Sequence, residues 1–357
     1  VITFHRALNY GAILQAYALE NILAEVGVYA EIIDYRCLYT ECVYRPFDIR
    51  HCKNISSGAK KCVKSFELIK KRRRFNEFTK KHLRVTKKCG TKTDLQRTAA
   101  KFDAIITGSD QVWNPNATGG DFGYFLDFVG SGTKKIAYAA SIGYRTFPPK
   151  YESKCIEYLK GFESISVREK SACKTVAESA DKDVENVLDP TLLLSDLRWL
   201  DIAKKPRNLP HRYILVYMME GCKYTIEKAR ALARDKECDL VLINPTLRQR
   251  QTCKDFVMYK AASPEEFVGM FAQADAVVTN SFHGVVFSLI FKKEFYAETS
   301  NAEKSARIVD LLALFDLSDR ILPNEINGKP NWEKVNSQLI KEKNKSISWL
   351  KDSLGLN

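Results

Sequence analysis

Short apolar runs alternate with longer amphipathic runs along almost the whole chain, and nothing else in the sequence restricts the fold as tightly. Val1–Phe4 reads as a strand, His5–Tyr10 as a loop and Gly11–Val26 as a helix. Its apolar residues recur at Ala12, Ala16, Leu19, Leu23 and Val26, and Gly27 stops it. Further strands are expected at Tyr29–Tyr35, Ala104–Thr107, Ile136–Ala139, Ser164–Val167 and Asn186–Leu188, with helices at Lys150–Lys160 and Glu169–Glu178. The second half repeats the pattern, with strands at Tyr213–Met218, Leu240–Ile243, Ala276–Thr279 and Glu294–Ala297. Between them lie helices at Tyr224–Asp235, after Ser263-Pro264-Glu265-Glu266, and at Gly284–Phe291; Ala306–Leu314 follows. Strands spaced by helices require parallel sheets covered on both faces, so the expected class is α/β.

The 357 residues are too many for one small domain and suit two. The stretch Asp196–Pro210, with two prolines, reads as the crossing between a domain over residues 1–195 and another over 196–330. Residues 331–357 read as a polar helix packing back on the body. No internal repeat is present. A composition of 45% hydrophobic and 28% charged residues excludes a disordered or fibrous chain. No run of about 18 apolar residues exists to form a membrane-spanning helix. Val1 is no initiator and already opens a core strand, so a few residues are expected before it, and the opening does not resemble a secretory leader. The ten cysteines show no CxxC pair and no zinc-like spacing, which points to structural thiols in a reduced, cytoplasmic compartment and to no metal site.

In open parallel sheets ligands sit where strands end and loops enter helices. That rule selects His5–Gly11, Gly108–Pro115, Arg168–Glu169 and Asn280–Gly284. At Asn9-Tyr10-Gly11 the glycine could let an anion reach the helix amides. In Gly108–Pro115 a capped turn, with Asp110 on backbone amides and Trp113 in the core, stands beside a binding role. His283 lies at a helix N-terminus, which favours the neutral ring a base needs. Arg168 is a fixed cation at a strand end, or the partner of Glu169. Arg307 and Arg320 read equally as surface ion pairs.

Taken together, several segments resemble the polysaccharide pyruvyl transferase family. They are Gly108-Ser109-Asp110-Gln111-Val112-Trp113-Asn114-Pro115, Ala137–Gly143, Ser166-Val167-Arg168-Glu169, Leu188-Asp189-Pro190-Thr191 and Val278-Thr279-Asn280-Ser281-Phe282-His283-Gly284. The opening Thr3-Phe4-His5-Arg6 with Asn9-Tyr10-Gly11-Ala12 is similar too. The resemblance runs in order to about Arg320. It implies two facing Rossmann-like domains, similar to the B-type glycosyltransferases, with the acceptor on the first and the donor on the second. It implies transfer of the enolpyruvyl unit of phosphoenolpyruvate onto two hydroxyls of one sugar, a surface polysaccharide or its lipid-linked precursor, without metal or further cofactor. The matching positions make His283 the catalytic histidine and Arg168 the anion-binding arginine, with phosphoenolpyruvate expected between the domains near both. Asn9, Gly11, Ser109, Asp110, Gln111, Asn280, Ser281 and Arg307 become substrate-binding candidates. One branch of the family carries an arginine where this chain has Ser281, so a donor-binding cation is expected from Arg307 or Arg320. A nucleotide-sugar glycosyltransferase and a non-catalytic glycan-binding protein are the alternatives on the same scaffold.

The net charge of +13 is local. Between Lys60 and Lys88, 13 Lys/Arg face only Glu67 and Glu77, and the rest of the chain balances to +2. This segment reads as an insertion of the first domain. Leu68, Phe75 and Phe78 share one helical face among the cations. The face either packs on the first domain, leaving a solvated charged helix, or meets anionic lipid on the inner face of the membrane. No nucleic-acid-binding module is recognisable, so nucleic acid is not an expected partner.

Overall fold

Ten parallel strands form two separate sheets in the computed structural model, which describes residues 1–43, 55–219, 223–299, 302–323 and 329–356. The first sheet has the order β1 (Ala104–Thr107), β2 (Lys134–Ala140), β3 (Ser164–Val167) and β4 (Val184–Asn186). Beyond β1 it continues through bridges instead of full strands. Ile2 pairs with Thr107, Ile32 with Val85 and Tyr35 with Cys89, all parallel, and the Ile33 amide donates to Val1 O at 2.7 Å. The expected strands at Val1–Phe4 and Tyr29–Tyr35 are thus present only as short contacts, because loops leave the sheet within a residue or two of each bridge.

The second sheet comprises β5 (Tyr213–Tyr217), β6 (Asp239–Ile243), β7 (Val257–Tyr259), β8 (Ala276–Thr279), β9 (Glu294–Glu298) and β10 (Ile321–Leu322). Its spatial order is β10-β9-β8-β5-β6-β7. Every residue of β5 and β8, the two central strands, is buried, as expected of strands covered on both faces. The helix over Pro264–Gln273 starts as its sequence dictates: the Glu266 amide donates to Ser263 Oγ and the Ser263 amide to Glu266 Oε2. The sequence reading missed β7, β10 and the helix Leu247–Thr252.

Both sheets have the doubly wound order. In each, the chain builds outward from a first strand, then returns to that strand's other side and builds the opposite way. The reversal falls between Val1–Ile2 and β1 in the first sheet, and between β5 and β8 in the second. A ligand crevice belongs outside the carboxyl ends of strands at such a reversal.

The two compact units are not contiguous in sequence. One holds Val1–Val43, Thr79–Leu194 and Asn336–Asn357, the other Tyr44–Phe78 and Ser195–Val335. Most of the basic segment therefore belongs to the second unit, where the insertion was expected in the first. The terminal helix Trp332–Leu354 packs on the first unit through its later turns. There Ser346 Oγ accepts the Leu188 amide at 3.0 Å, and the Trp349 ring lies 6.1 Å from that of Tyr138. Among the described residues no helix is long and apolar enough to cross a membrane.

Candidate functional site

The strand ends of the first unit interlock through backbone bonds before any side chain is considered. Asp110 adopts φ 78°, and its carbonyl accepts the amides of Val112 and Ser141 at 2.7 and 3.0 Å. The Trp113 amide donates to Ser141 O at 3.1 Å, and its fully buried ring stacks on Phe125 and meets Phe162 edge-on. Gly143, at φ 74°, leaves no room for a side chain: a Cβ would lie 2.8 Å from Asn114 Nδ2 and 3.0 Å from Gln111 Cδ. Asn114 Oδ1 caps the short helix Pro115–Thr118 by accepting the Asn116 amide. The pairing of Gly108–Pro115 with Ala137–Gly143 is therefore in large part a loop-locking device.

Arg168, at the end of β3, is buried to 1% side-chain exposure among three carboxylates. Its Nη1 donates to Asp189 Oδ2 at 2.9 Å and its Nε to Glu169 Oε1 at 3.4 Å, while Nη2 lies 3.7 Å from Asp110 Oδ1. Ser109 Oγ donates to the same Asp189 oxygen at 2.8 Å. Asp189 Oδ1 accepts the Thr191 amide and hydroxyl at 3.0 and 2.6 Å. Burial alone would lower the arginine's pKa; the charges of Glu169, Asp189 and Asp110 outweigh it and push it above its usual value. A guanidinium so enclosed is engaged by protein carboxylates, as in the ion-pair reading of Arg168. Asp189, at the centre of this cluster, lies in the Leu188-Asp189-Pro190-Thr191 segment, and nothing in the local sequence marks it as the partner of Arg168. The helix-start amides at Gly11 and Ala12 are likewise taken, both donating to Asn9 Oδ1 at 2.9 and 3.4 Å.

In the second unit, the loop Asn280–Gly284 stands at the end of β8, on the sheet's reversal. Thr279 Oγ donates to Tyr217 O on β5 at 2.6 Å and accepts the Ser281 amide at 3.0 Å. Asn280 Oδ1 accepts the Met219 amide at 2.8 Å, tying the two central loops together. Gly284 has to be glycine, since a Cβ would fall 2.1 Å from Thr279 Oγ. These bonds set Ser281 as the residue before the helix Phe282–Ile290 and place His283 in that helix's first turn, buried, with its ring edge-on to Phe282 at 5.2 Å. Arg307 is half-buried on the helix Ala302–Leu314. Arg320, read from sequence as a surface ion pair, is 2% exposed, with Nη2 3.2 Å from Asp319 Oδ2. Among the described residues no group of three or more His, Cys, Asp or Glu is placed to hold a metal.

The basic helix Ile55–His82 corrects a further expectation. Phe75 and Phe78 are buried, and Lys71 Nζ donates to Asn244 Oδ1, at the end of β6, at 3.0 Å. Burial pushes the Lys71 ammonium down to about 7. Arg74 donates to Ala261 O at 3.0 Å and bonds Glu266, and Glu67 accepts from Arg250 at 3.0 Å. As far as Phe78 the segment belongs to the second unit and packs there, and the buried Phe75 and Phe78 are unavailable to lipid. Phe66, Ile69, Lys70 and Arg73 make up the exposed side of the same stretch.

Two α/β units of doubly wound parallel sheet, each with its polar loops at the reversal, define a Rossmann-like protein. The chain belongs to the polysaccharide pyruvyl transferase family, whose model matches residues 9–300. No curated protein matches it. Among solved structures it is similar to a UDP-GlcNAc 2-epimerase of Methanocaldococcus jannaschii, in complex with UDP-GlcNAc and UDP, at 14% identity and a TM-score of 0.48, covering 92% of this chain and 96% of that one. It is also similar to the Neisseria meningitidis UDP-GlcNAc 2-epimerase bound to UDP-GlcNAc, at 10% identity and 0.49, covering 96% and 97%. The E. coli heptosyltransferase WaaC with ADP follows at 11% and 0.43, covering 95% and 98%.

Proposed function

We propose that the protein transfers the enolpyruvyl unit of phosphoenolpyruvate onto two hydroxyls of one sugar, releasing phosphate and leaving a cyclic pyruvate ketal. What supports this reading, beside membership of the family, is His283 in the first turn of a helix at the reversal of the six-stranded sheet. The reaction needs a group of that kind. A sugar hydroxyl must lose its proton as the oxygen attacks carbon 2, and carbon 3 must gain a proton to become the methyl group. Attack of the second hydroxyl closes the ring as the bond from carbon 2 to the phosphate oxygen breaks. Of the two hydroxyl protons, one is balanced at carbon 3 and the other leaves with phosphate. His283 serves as the general base: it takes the proton of the attacking hydroxyl and passes it on, to carbon 3 or to the leaving phosphate, before the next hydroxyl attacks. Arg307, half-buried on the helix Ala302–Leu314, supplies the cation for the donor's carboxylate or phosphate in place of the arginine absent at Ser281. Arg168 holds the loops of the first unit instead of touching the donor. No metal or other cofactor is part of this reading. On the basic helix, contact with anionic lipid falls to the exposed Lys70 and Arg73. Phosphate release from phosphoenolpyruvate in the presence of candidate sugar acceptors tests the function; binding of a nucleotide-sugar with no release from phosphoenolpyruvate would replace it.

A further inference from the structure

The loops following the first two strand segments of the first unit bring together four charged or titratable groups to which the reaction above gives no role. His5 is 2% exposed, with Nδ1 3.2 Å from Thr3 O and Nε2 3.3 Å from Asp34 Oδ1. Arg36 Nη2 donates to Asp34 Oδ2 at 2.9 Å, and Arg6 Nε lies 3.8 Å from Asp34 Oδ1. Burial would raise the Asp34 pKa, but the hydrogen bonds from His5 and Arg36 and the charges of Arg6 and Arg36 outweigh it and hold it at about 2. Asp34 is thus an ionised hub on which His5, Arg6 and Arg36 converge. The side chains of Arg6 and Arg36 keep 24% and 23% of their surface exposed, whereas His5 is enclosed.

Their position gives this cluster its meaning. His5 and Arg6 leave the Val1–Ile2 segment, which pairs with β1 at the sheet's reversal, and Asp34 and Arg36 flank the neighbouring bridge at Tyr35. The carboxyl end of the strand beside a reversal is where a doubly wound sheet presents side chains to a ligand. Arg36, bonded to Asp34, and Arg6, within 3.8 Å of the same carboxylate, are both partly exposed, and guanidinium forks suit phosphate oxygens.

We propose that Arg6 and Arg36, oriented through Asp34 and His5, form a binding site for the phosphate or diphosphate ester that carries the acceptor sugar. The sugar in this statement rests on the pyruvyl-transfer reading; the anion does not. Isothermal titration of the full chain with inorganic pyrophosphate, and separately with phosphoenolpyruvate, tests it at fixed ionic strength. Arg6→Gln and Arg36→Gln should each weaken pyrophosphate binding about 10- to 100-fold, as expected for a lost hydrogen bond to a charged group, and leave phosphoenolpyruvate binding within twofold. Unchanged pyrophosphate binding in both variants, or no pyrophosphate binding by the parent, would overturn the site. Equal loss of phosphoenolpyruvate binding would assign the arginines to the donor and overturn the acceptor role. A measurement on the parent protein avoids any loss of folding: pyrophosphate should protect Arg6 and Arg36 from phenylglyoxal, read by mass spectrometry, and absence of protection would count against the proposal. Turnover with phosphoenolpyruvate is measured apart from these, so failure of that reaction and failure of this site are distinguishable.

Discussion

At the scale of single residues, Arg168 and Lys71 are both buried cations with opposite surroundings. Arg168 neutralises part of a cluster of three carboxylates, so its removal leaves buried negative charge uncompensated. Arg168→Ala is expected to cost about 3–5 kcal/mol of stability, read as a shift of the urea midpoint. An unshifted midpoint with weakened phosphoenolpyruvate binding would instead make it a donor ligand. Lys71 keeps the usual lysine pKa when unfolded but has about 7 when folded. Between these values the unfolded chain binds a proton that the folded one does not, so this residue's contribution to stability rises with pH. Below pH 7 the full cost of burying the charge is present. Parent stability should therefore gain on Lys71→Met as pH climbs from about 7 towards 10, checked by urea unfolding across that window; a constant difference would show an ordinary lysine. Neither environment was legible in the sequence. Glu169 adjoins Arg168, but Asp110 and Asp189 reach it only through the sheet, and Lys71 is hidden within a run of five cations.

Among the elements, the basic helix shows how far a periodic pattern carries. The spacing of Leu68, Phe75 and Phe78 identified an apolar face, and Phe75 and Phe78 are indeed buried, with Leu68 half-buried. The spacing could not name what covers that face, because the covering surface is 170 and more residues away: Lys71 reaches Asn244, and Arg74 reaches Ala261 and Glu266. Phe75→Ser should lower the melting temperature by several degrees, as loss of a buried aromatic does. Replacing the exposed Lys70 and Arg73 with Gln should leave it unchanged while weakening any co-sedimentation with acidic vesicles at low salt. A stable Phe75→Ser variant would contradict the packing described. The helix Pro264–Gln273, by contrast, was legible to the residue at its start, since Ser263, Pro264 and Glu266 act locally.

For the whole molecule, alternation of apolar runs was enough to establish parallel sheets and the α/β class, because burying both faces of a strand leaves a signature in the strand itself. The composition of the units was not legible. Residues 44–78 join the second unit and 336–357 the first, and such returns are decided by long-range packing. The order of strands was also beyond the pattern, yet it is what puts both polar loop sets at a reversal and gives His283 its place. That placement makes one comparison decisive: phosphate release from phosphoenolpyruvate, with a sugar acceptor that supports turnover, by the parent and by His283→Asn. The variant should fold with an unchanged melting temperature and turn over about 10²- to 10⁴-fold more slowly, the contribution of a positioned base. A folded variant with near-parental turnover would contradict the assignment of His283.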